Sequence, residues 1–181
     1  MSGAAGSMPW IADFDAFDDA HAIACLAPLF EGAPRFLRRL VAERPFWSWD
    51  RLFQRAREIA HEMPQPEQIE LLDAHPRLGA VAASVSALSL REQGYDAQSK
   101  AGSTSREVVM ADLARLNAAY EARFGFRYCV FVAGRPLADL VPGFAAAVAG
   151  ERDPELRRGL DAVVDIAAAR YEALGGPEGR T

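Results

Sequence analysis

The spacing of apolar residues constrains the fold of this chain more than any other feature of its sequence. Four of them follow one another at intervals of four, three and four positions, the spacing of one α-helical face: Leu52, Ala56, Ile59 and Met63. Two later stretches repeat it, from Val109 through Leu113 and Leu116 to Tyr120, and from Leu156 through Leu160 and Val163 to Ala167. The pattern therefore predicts three amphipathic helices.

Shorter helices are predicted around these three. Their ranges are residues 18–30, 34–42 and 65–74, and a segment that follows Pro136 and ends near Gly150. Residues typical of helix N-caps precede three of the helices: Ser48, Ser105 and Asp153, the last followed by Pro154 at the first helical position.

Only one segment has the composition of a β-strand. Residues 128–132, Tyr-Cys-Val-Phe-Val, are β-branched or aromatic and lie between Gly125 and Gly134. A single strand cannot form a sheet, so we predict an all-α fold of about seven or eight helices with one extended segment. Residues 10–174 are expected to form a single domain, with flexible tails at residues 1–9 and 175–181.

Composition excludes several classes of protein. The chain has 181 residues and a net charge of −5, which argues against a partner that is a nucleic acid. No apolar run approaches the ~20 residues needed to span a membrane, so no membrane partner is expected either. With two cysteines, Cys25 and Cys129, and no signal-peptide pattern, we expect a cytoplasmic protein without a disulfide framework.

The familiar catalytic and metal-binding motifs are missing from the sequence. There is no glycine-rich phosphate loop, no His-Glu-x-x-His, no nucleophile elbow and no Cys-x-x-Cys. The three histidines lack metal-ligand spacing, so we predict no metal, and we interpret both cysteines as small hydrophobic residues. Any chemistry must then come from ordinary side chains.

One of the three histidines differs from the others in its sequence context. His21 and His61 lie away from the apolar faces of their helices and are predicted to be exposed. His75 ends the predicted 65–74 helix and precedes Pro76, which disfavours the helical conformation for it. It is either a helix-capping residue or a general acid or base whose pKa can be tuned near neutrality.

Two further features also allow a structural and a functional interpretation. Arg170 lies close to the apolar face of the last helix, where it either extends to solvent or binds an anion. Ser89 and Glu92 have the spacing of a capping box, and Glu92 and Gln93 are also placed to border a cavity at a helix N-terminus.

Five short motifs, in this order along the chain, resemble those of one enzyme family. They are Arg-Pro-Phe at 44–46, His-Pro-Arg-Leu-Gly at 75–79, Ser-Leu-Arg-Glu-Gln at 89–93, Leu-Asn-Ala-Ala-Tyr-Glu-Ala-Arg-Phe-Gly-Phe at 116–126 and Ile-Ala-Ala-Ala-Arg at 166–170. The family is 2-oxo-4-hydroxy-4-carboxy-5-ureidoimidazoline (OHCU) decarboxylase, which performs the last step from urate to (S)-allantoin. The resemblance covers about residues 14–174, nearly the whole chain.

The resemblance implies an all-helical, cofactor-free and usually homodimeric enzyme that acts on a small ureide. Its catalytic residues fall on His75, Glu92 and Arg170 of this chain. Its substrate-binding residues fall on Pro76, Ser89 and Gln93 and on the backbone of Tyr128, Val130 and Val132.

The chain also departs from the family pattern. Arg77 stands where many members have an acidic residue, Arg127 stands where many have proline, and residues 94–98 lack the usual small side chains. Two alternatives therefore remain: a decarboxylase or hydrolase acting on another ureide, and a non-enzymatic helical interaction module. The polar loop at residues 96–105 is a candidate lid.

Overall fold

A computed structural model describes residues 7–80 and 103–177 of the chain. Eight helices lie in these two ranges: α1 Ile11–Asp15, α2 Asp19–Leu26, α3 Pro34–Val41, α4 Trp49–Glu62, α5 Gln65–Ala74, α6 Ser103–Phe124, α7 Leu137–Val148 and α8 Arg152–Ala173. No β-strand occurs in the described ranges. The predicted all-α fold is confirmed, and residues 128–132 are neither helix nor strand.

Several predicted helix boundaries agree with the structure. Ser48 caps α4, because its side-chain oxygen accepts a hydrogen bond from Arg51 N at 3.1 Å. The bounds of α5 are those expected from the sequence, and α3 ends one residue before the predicted limit.

Other boundaries were predicted wrongly. Helix α6 begins at Ser103 and α8 at Arg152, so Ser105, Asp153 and Pro154 lie inside their helices rather than before them. Helix α2 ends at Leu26, since a turn follows in which Glu31 and Gly32 have φ of 52° and 75°. Helix α1 was missed, because five residues are too few to show a periodic pattern.

The chain divides into two compact units. The first unit comprises residues 1–74 and 163–181, and the second comprises residues 75–162, so their boundary falls after α5 and again within α8. The assignment of residues 10–174 to a single domain stays a prediction. No helix in the described ranges has both the length and the apolar character needed to cross a membrane.

In the first unit, α2, α4 and α5 each pack against α3. The rings of Phe14 and Tyr171 lie on Trp49, with centroids 5.2 and 4.6 Å away. The Asp15 carboxylate accepts hydrogen bonds from the backbone N–H groups of Phe46 and Trp47, which fixes the loop before α4.

In the second unit, α6 packs against α7 around a cluster of aromatic rings. The buried ring of Tyr120 lies 4.6–5.8 Å from four neighbours, which are Phe124, Phe126, Tyr128 and Phe144. Tyr128 also stacks on Phe144 at 3.8 Å. Residues 128–132 are therefore fixed to the core of this unit through Tyr128.

Gly79 marks a close approach between the segment after α5 and helix α6. Its φ is 79°, and a Cβ atom at this position would lie 2.9 Å from Leu113 Cδ1 and 3.3 Å from Leu113 Cβ. Both the backbone conformation and the contact therefore require glycine.

Substitution of Gly79 by alanine should destabilise the protein more than the same change at Gly134, which has φ of 71° but open space around it. We expect Gly134→Ala to cost about 1–2 kcal/mol from backbone strain. Gly79→Ala should add about 1–3 kcal/mol, because Leu113 must move. Urea unfolding of both variants measures the difference, and equal losses would show that the contact is unimportant.

Candidate active site

His75 lies in an irregular segment that follows directly on α5. The residue is 3% exposed, and Pro76 after it has no backbone N–H. The prediction that this histidine terminates the 65–74 helix is confirmed, since α5 ends at Ala74. Its burial sets it apart from His21 and His61, which are exposed as predicted.

Side chains from other parts of the second unit hold the carbonyl groups of this segment. Arg127 Nη1 donates to the His75 carbonyl oxygen at 2.9 Å. Asn117 Nδ2 on α6 donates to Leu78 O at 2.9 Å and to Leu113 O at 2.8 Å. These bonds replace the regular pairing that the backbone loses where the helix ends.

Arg77 forms a bidentate ion pair with Glu121 of α6. Its Nε and Nη2 atoms lie 2.6 and 2.7 Å from the two carboxylate oxygens. The hydrogen bonds and charge of Arg77, with a smaller effect of Arg127, lower the pKa of Glu121. The two arginines that depart from the family pattern, Arg77 and Arg127, therefore have partners in the same part of the second unit.

A cavity of about 500 Å³ lies beside the segment, a volume in the range of small-molecule sites. It is lined by Arg77, Leu78, Gly79, Ala80, Ala114, Asn117, Ala118 and Glu121.

Arginine side chains hold residues 128–132 through three of the carbonyl groups of this segment. Arg158 Nη1 donates to Cys129 O at 2.8 Å, and Arg135 Nη2 donates to Phe131 O at 2.6 Å. Val132 O accepts from both N and Nε of Arg135 at 3.0 Å, so the carbonyl of this candidate substrate-binding residue is already occupied.

Two residues of this segment have open backbone groups. In the part of the chain that the structure describes, the N–H and C=O groups of Val130, and likewise those of Tyr128, form no hydrogen bond with another protein group. Tyr128 is buried and Val130 is half-buried. Such groups require water or a ligand as partner, and Val130 has the more accessible open backbone groups of the two.

Arg158 is itself oriented by a partly buried polar cluster. Glu155 Oε2 accepts from Arg158 Nε at 2.9 Å and from Tyr120 OH at 3.0 Å. The guanidinium carbon lies 4.6 Å from the centre of the Tyr128 ring. Burial, followed by the charge of Glu155, raises the pKa of Tyr120, which keeps this hydroxyl a proton donor to the carboxylate.

Arg170 lies in the first unit and is 1% exposed, so its side chain does not extend to solvent. Its Nη2 forms an ion pair with Glu31 Oε1 at 2.8 Å, and its Nη1 donates to Pro28 O and Leu29 O at 3.1 and 3.3 Å. Of the two alternatives left open by the sequence, the structure supports an arginine that binds an anion, and this anion is the chain's own Glu31.

The structure describes only some of the remaining candidate site residues. Ser89, Glu92 and Gln93 lie outside the described residues, as does most of the candidate lid at 96–105. His75, Pro76, Tyr128, Val130 and Val132 belong to the second unit, and Arg170 belongs to the first.

Neither of the two cysteines, Cys25 and Cys129, forms a disulfide with another described residue. Burial raises the pKa of the Cys25 thiol, which disfavours the nucleophilic thiolate. Among residues 7–80 and 103–177, no group of three or more metal-ligating side chains is gathered together.

Sequence reasoning missed several residues that organise these segments. Arg127 was noted only as a departure, and Arg158, Asn117 and Glu31 were not singled out. The signal for Asn117 was a polar residue at the edge of the predicted helix face that contains Leu116. Arg158 lies opposite the predicted face of Leu156 and Leu160 and gave no such signal. No local signal marked Glu31, whose partner is distant in sequence.

The fold and these contacts define an all-helical protein in which arginine and asparagine side chains hold irregular segments beside a buried histidine. A family model described as OHCU decarboxylase matches residues 15–172. The chain therefore belongs to the OHCU decarboxylase family, as its motifs indicated.

Individual relatives agree with this assignment. The chain is 26% identical over 172 residues to the 2-oxo-4-hydroxy-4-carboxy-5-ureidoimidazoline decarboxylase of Halalkalicoccus jeotgali, with 94% of each chain covered. It is 28% identical over 169 residues to the uric acid degradation bifunctional protein PucL of Bacillus subtilis, covering 93% of this chain and 33% of that protein.

A crystal structure of OHCU decarboxylase in the presence of (S)-allantoin superimposes on the fold. The TM-score is 0.67 at 19% sequence identity, and the match covers 89% of this chain and 100% of the other. At this identity the likeness establishes the fold.

The contribution of the Arg77–Glu121 ion pair to the free energy of unfolding should depend on pH. Because its folded-state pKa is lowered, the pair stabilises the protein above the unfolded-state pKa of about 4.3, and this contribution is lost as the pH falls through the folded value. At pH 7, Arg77→Gln should lower the free energy of unfolding by up to about 1 kcal/mol, since the pair is partly exposed. Urea unfolding at several pH values should show this difference shrinking as the pH falls below the unfolded-state pKa. Arg115→Gln, which breaks a more exposed pair on α6, is the control, and a difference that persists in acid would contradict the assignment.

Loss of Arg170 should destabilise the protein strongly. Arg170→Met leaves the Glu31 carboxylate without its buried counter-charge, a change that costs about 3–5 kcal/mol in comparable pairs. The double variant Arg170→Met/Glu31→Gln should recover part of this loss, because it removes the uncompensated charge. Chemical denaturation of the two variants checks both statements, and an unchanged midpoint for the single variant would show that the pair contributes little.

Proposed function

We propose that this chain catalyses the cofactor-independent decarboxylation of OHCU to (S)-allantoin, the final step of urate oxidation, as a carboxy-lyase. The observation that carries the proposal is the match of the OHCU decarboxylase family model over residues 15–172, within which all the candidate site residues fall. The buried His75 and the open backbone groups of Val130 support it from the structure.

The chemistry of the substrate explains why ordinary side chains suffice. OHCU carries a carboxylate and a hydroxyl on one ring carbon, next to a ureido-bearing carbon that is double-bonded to nitrogen. When the bond to the carboxylate breaks, its electron pair forms a double bond between the two carbons, and the C=N pair moves to nitrogen. The substrate thus contains its own electron sink, which in other decarboxylases a cofactor supplies.

The second half of the reaction consists of three proton transfers. The ring nitrogen that received the C=N pair gains a proton, the ureido-bearing carbon gains a proton on one face, and the hydroxyl loses its proton to become the carbonyl of allantoin, so one proton is taken up overall. We assign the transfers at the carbon and the hydroxyl to His75, because an imidazole both donates and accepts protons near neutral pH. Delivery to one face sets the (S) configuration of the product.

The remaining candidates bind and orient the substrate in this proposal. Glu92 and Gln93 hold ureido and ring N–H groups, Ser89 and Pro76 line the ring, and the backbone at Tyr128, Val130 and Val132 pairs with its amide groups, with Val130 the main contact. Arg170 anchors an anionic or carbonyl oxygen, in competition with its bond to Glu31. Correct positioning of a reactant contributes several kcal/mol to catalysis.

The family resemblance also supports two further proposals, one about the oligomeric state and one about the cellular location. The enzyme works as a homodimer, which light scattering in solution tests directly, since a monomeric mass would exclude it. We also place it in the cytoplasm, consistent with its two free thiols.

His75→Asn should lose most turnover while the protein stays folded. A well-placed acid or base contributes about 10²–10⁴-fold, so we expect a loss of that size. His61→Asn, at an exposed position on α4, is the control and should keep full activity. Urate, urate oxidase and hydroxyisourate hydrolase generate OHCU in the cuvette, and circular dichroism follows the appearance of (S)-allantoin.

The outcomes of this assay separate the alternatives. Equal turnover in His75→Asn and the parent would refute the role of His75 but leave the decarboxylase activity standing. No acceleration by the parent over spontaneous decay would refute the proposed activity. A panel of other ureides would then distinguish an enzyme of different specificity from a binding module.

A further inference from the structure

Arg127 connects the two segments that carry the candidate chemistry of the second unit. In sequence it directly precedes residues 128–132, and its side chain donates to the carbonyl oxygen of His75 at 2.9 Å. It therefore joins the proposed proton-transfer residue to the backbone proposed to bind the substrate.

The main chain at Arg127 is firmly placed. Phe126 and Tyr128, on either side of it, are 2% and 6% exposed, and their rings lie 5.6 and 5.2 Å from the ring of Tyr120. A guanidinium that extends from so fixed a position restricts the group to which it is bonded.

The other end of the His75 segment is also restrained. Asn117 holds the carbonyl of Leu78, and Gly79 packs closely on Leu113. At the start of the segment, the bond from Arg127 acts directly on the peptide unit of His75. Movement of that peptide unit would displace the imidazole attached to it.

We propose that Arg127 is a positioning residue that sets the location of the His75 imidazole relative to the backbone groups at Tyr128 and Val130. The role rests on the proposed function, because it assigns proton transfer to His75. Arg127 does not act on the substrate itself, and its effect passes through the His75 carbonyl.

Kinetics of Arg127→Met and Arg127→Lys test the proposal. A misplacement of about 1 Å costs about 10²-fold in rate, so we expect kcat of Arg127→Met to fall about 10- to 100-fold. KM should change by less than about threefold, since substrate binding groups remain. Arg127→Lys keeps a cationic donor and should recover part of kcat.

Arg123→Met is the matched control. Arg123 also donates to a backbone carbonyl in the second unit, that of Gly150 at 3.1 Å, but it contacts neither segment. This variant should retain the kcat of the parent, and urea unfolding of all three variants shows whether lost activity follows lost stability.

A spectroscopic measurement tests the same proposal without any turnover. The protein has three histidines, so two-bond ¹H–¹⁵N spectra resolve each imidazole ring. The signals of His75 should shift in Arg127→Met, whereas those of His21 and His61 should not, and none should shift in Arg123→Met.

These results show separately whether the proposed decarboxylase function or the positioning role of Arg127 fails. If the parent does not decarboxylate OHCU, the proposed function fails, and the imidazole signals still decide whether Arg127 positions His75. Unchanged His75 signals in Arg127→Met would overturn the positioning role. Shifted signals with an unchanged kcat would overturn its importance for the reaction.

Discussion

The candidate site of this protein depends on side-chain donors that satisfy the carbonyl groups of irregular backbone. A helix supplies partners for its own carbonyls, whereas residues 75–79 and 128–132 lie outside regular structure and need partners from elsewhere. Arg127 and Asn117 serve the first segment, and Arg158 and Arg135 serve the second. An unpaired buried carbonyl costs about 1–3 kcal/mol, so these few contacts decide where each segment lies. Val130 has no such partner among the described residues, and at its half-buried position this leaves a donor and an acceptor open to a ligand.

The charged pairs follow a related rule. Arg170 and Glu31 compensate each other in the first unit, and Arg158 and Glu155 do so in the second, where Tyr120 provides a further hydrogen bond. The Arg158 side chain is 35% exposed and depends less on its partner. Leaving one ion of the buried Arg170–Glu31 pair alone would be costly, so Arg170 requires its acidic partner for the fold as well as for any chemistry. This dual requirement makes a loss of activity at Arg170 ambiguous unless stability is measured beside it.

The sequence pattern predicted every described helix except α1, because an apolar face repeats every three or four residues regardless of what it packs against. It also singled out His75, whose position between a helix end and a proline is a local property. It failed where the structure depends on distant partners. The bonds from Arg127 to His75 and from Arg170 to Glu31 join residues 52 and 139 positions apart, and no local pattern reports such contacts. The ends of α2 and the starts of α6 and α8 were misplaced because several residues in each region could have served as a boundary.

Two of the three departures from the family pattern, Arg77 and Arg127, make physical sense together. A proline before residue 128 restricts the backbone through its own ring, whereas an arginine there leaves φ free and restrains it through a hydrogen bond to the His75 carbonyl. An acidic residue at position 77 would lie beside the Glu121 carboxylate, whereas Arg77 pairs with it. Both changes thus act on how the His75 segment is held and not on the groups proposed to touch the substrate. The proposed reaction can therefore stay the same while the contacts that hold the His75 segment change. Substrate specificity should be sought in the residues that contact the ureide.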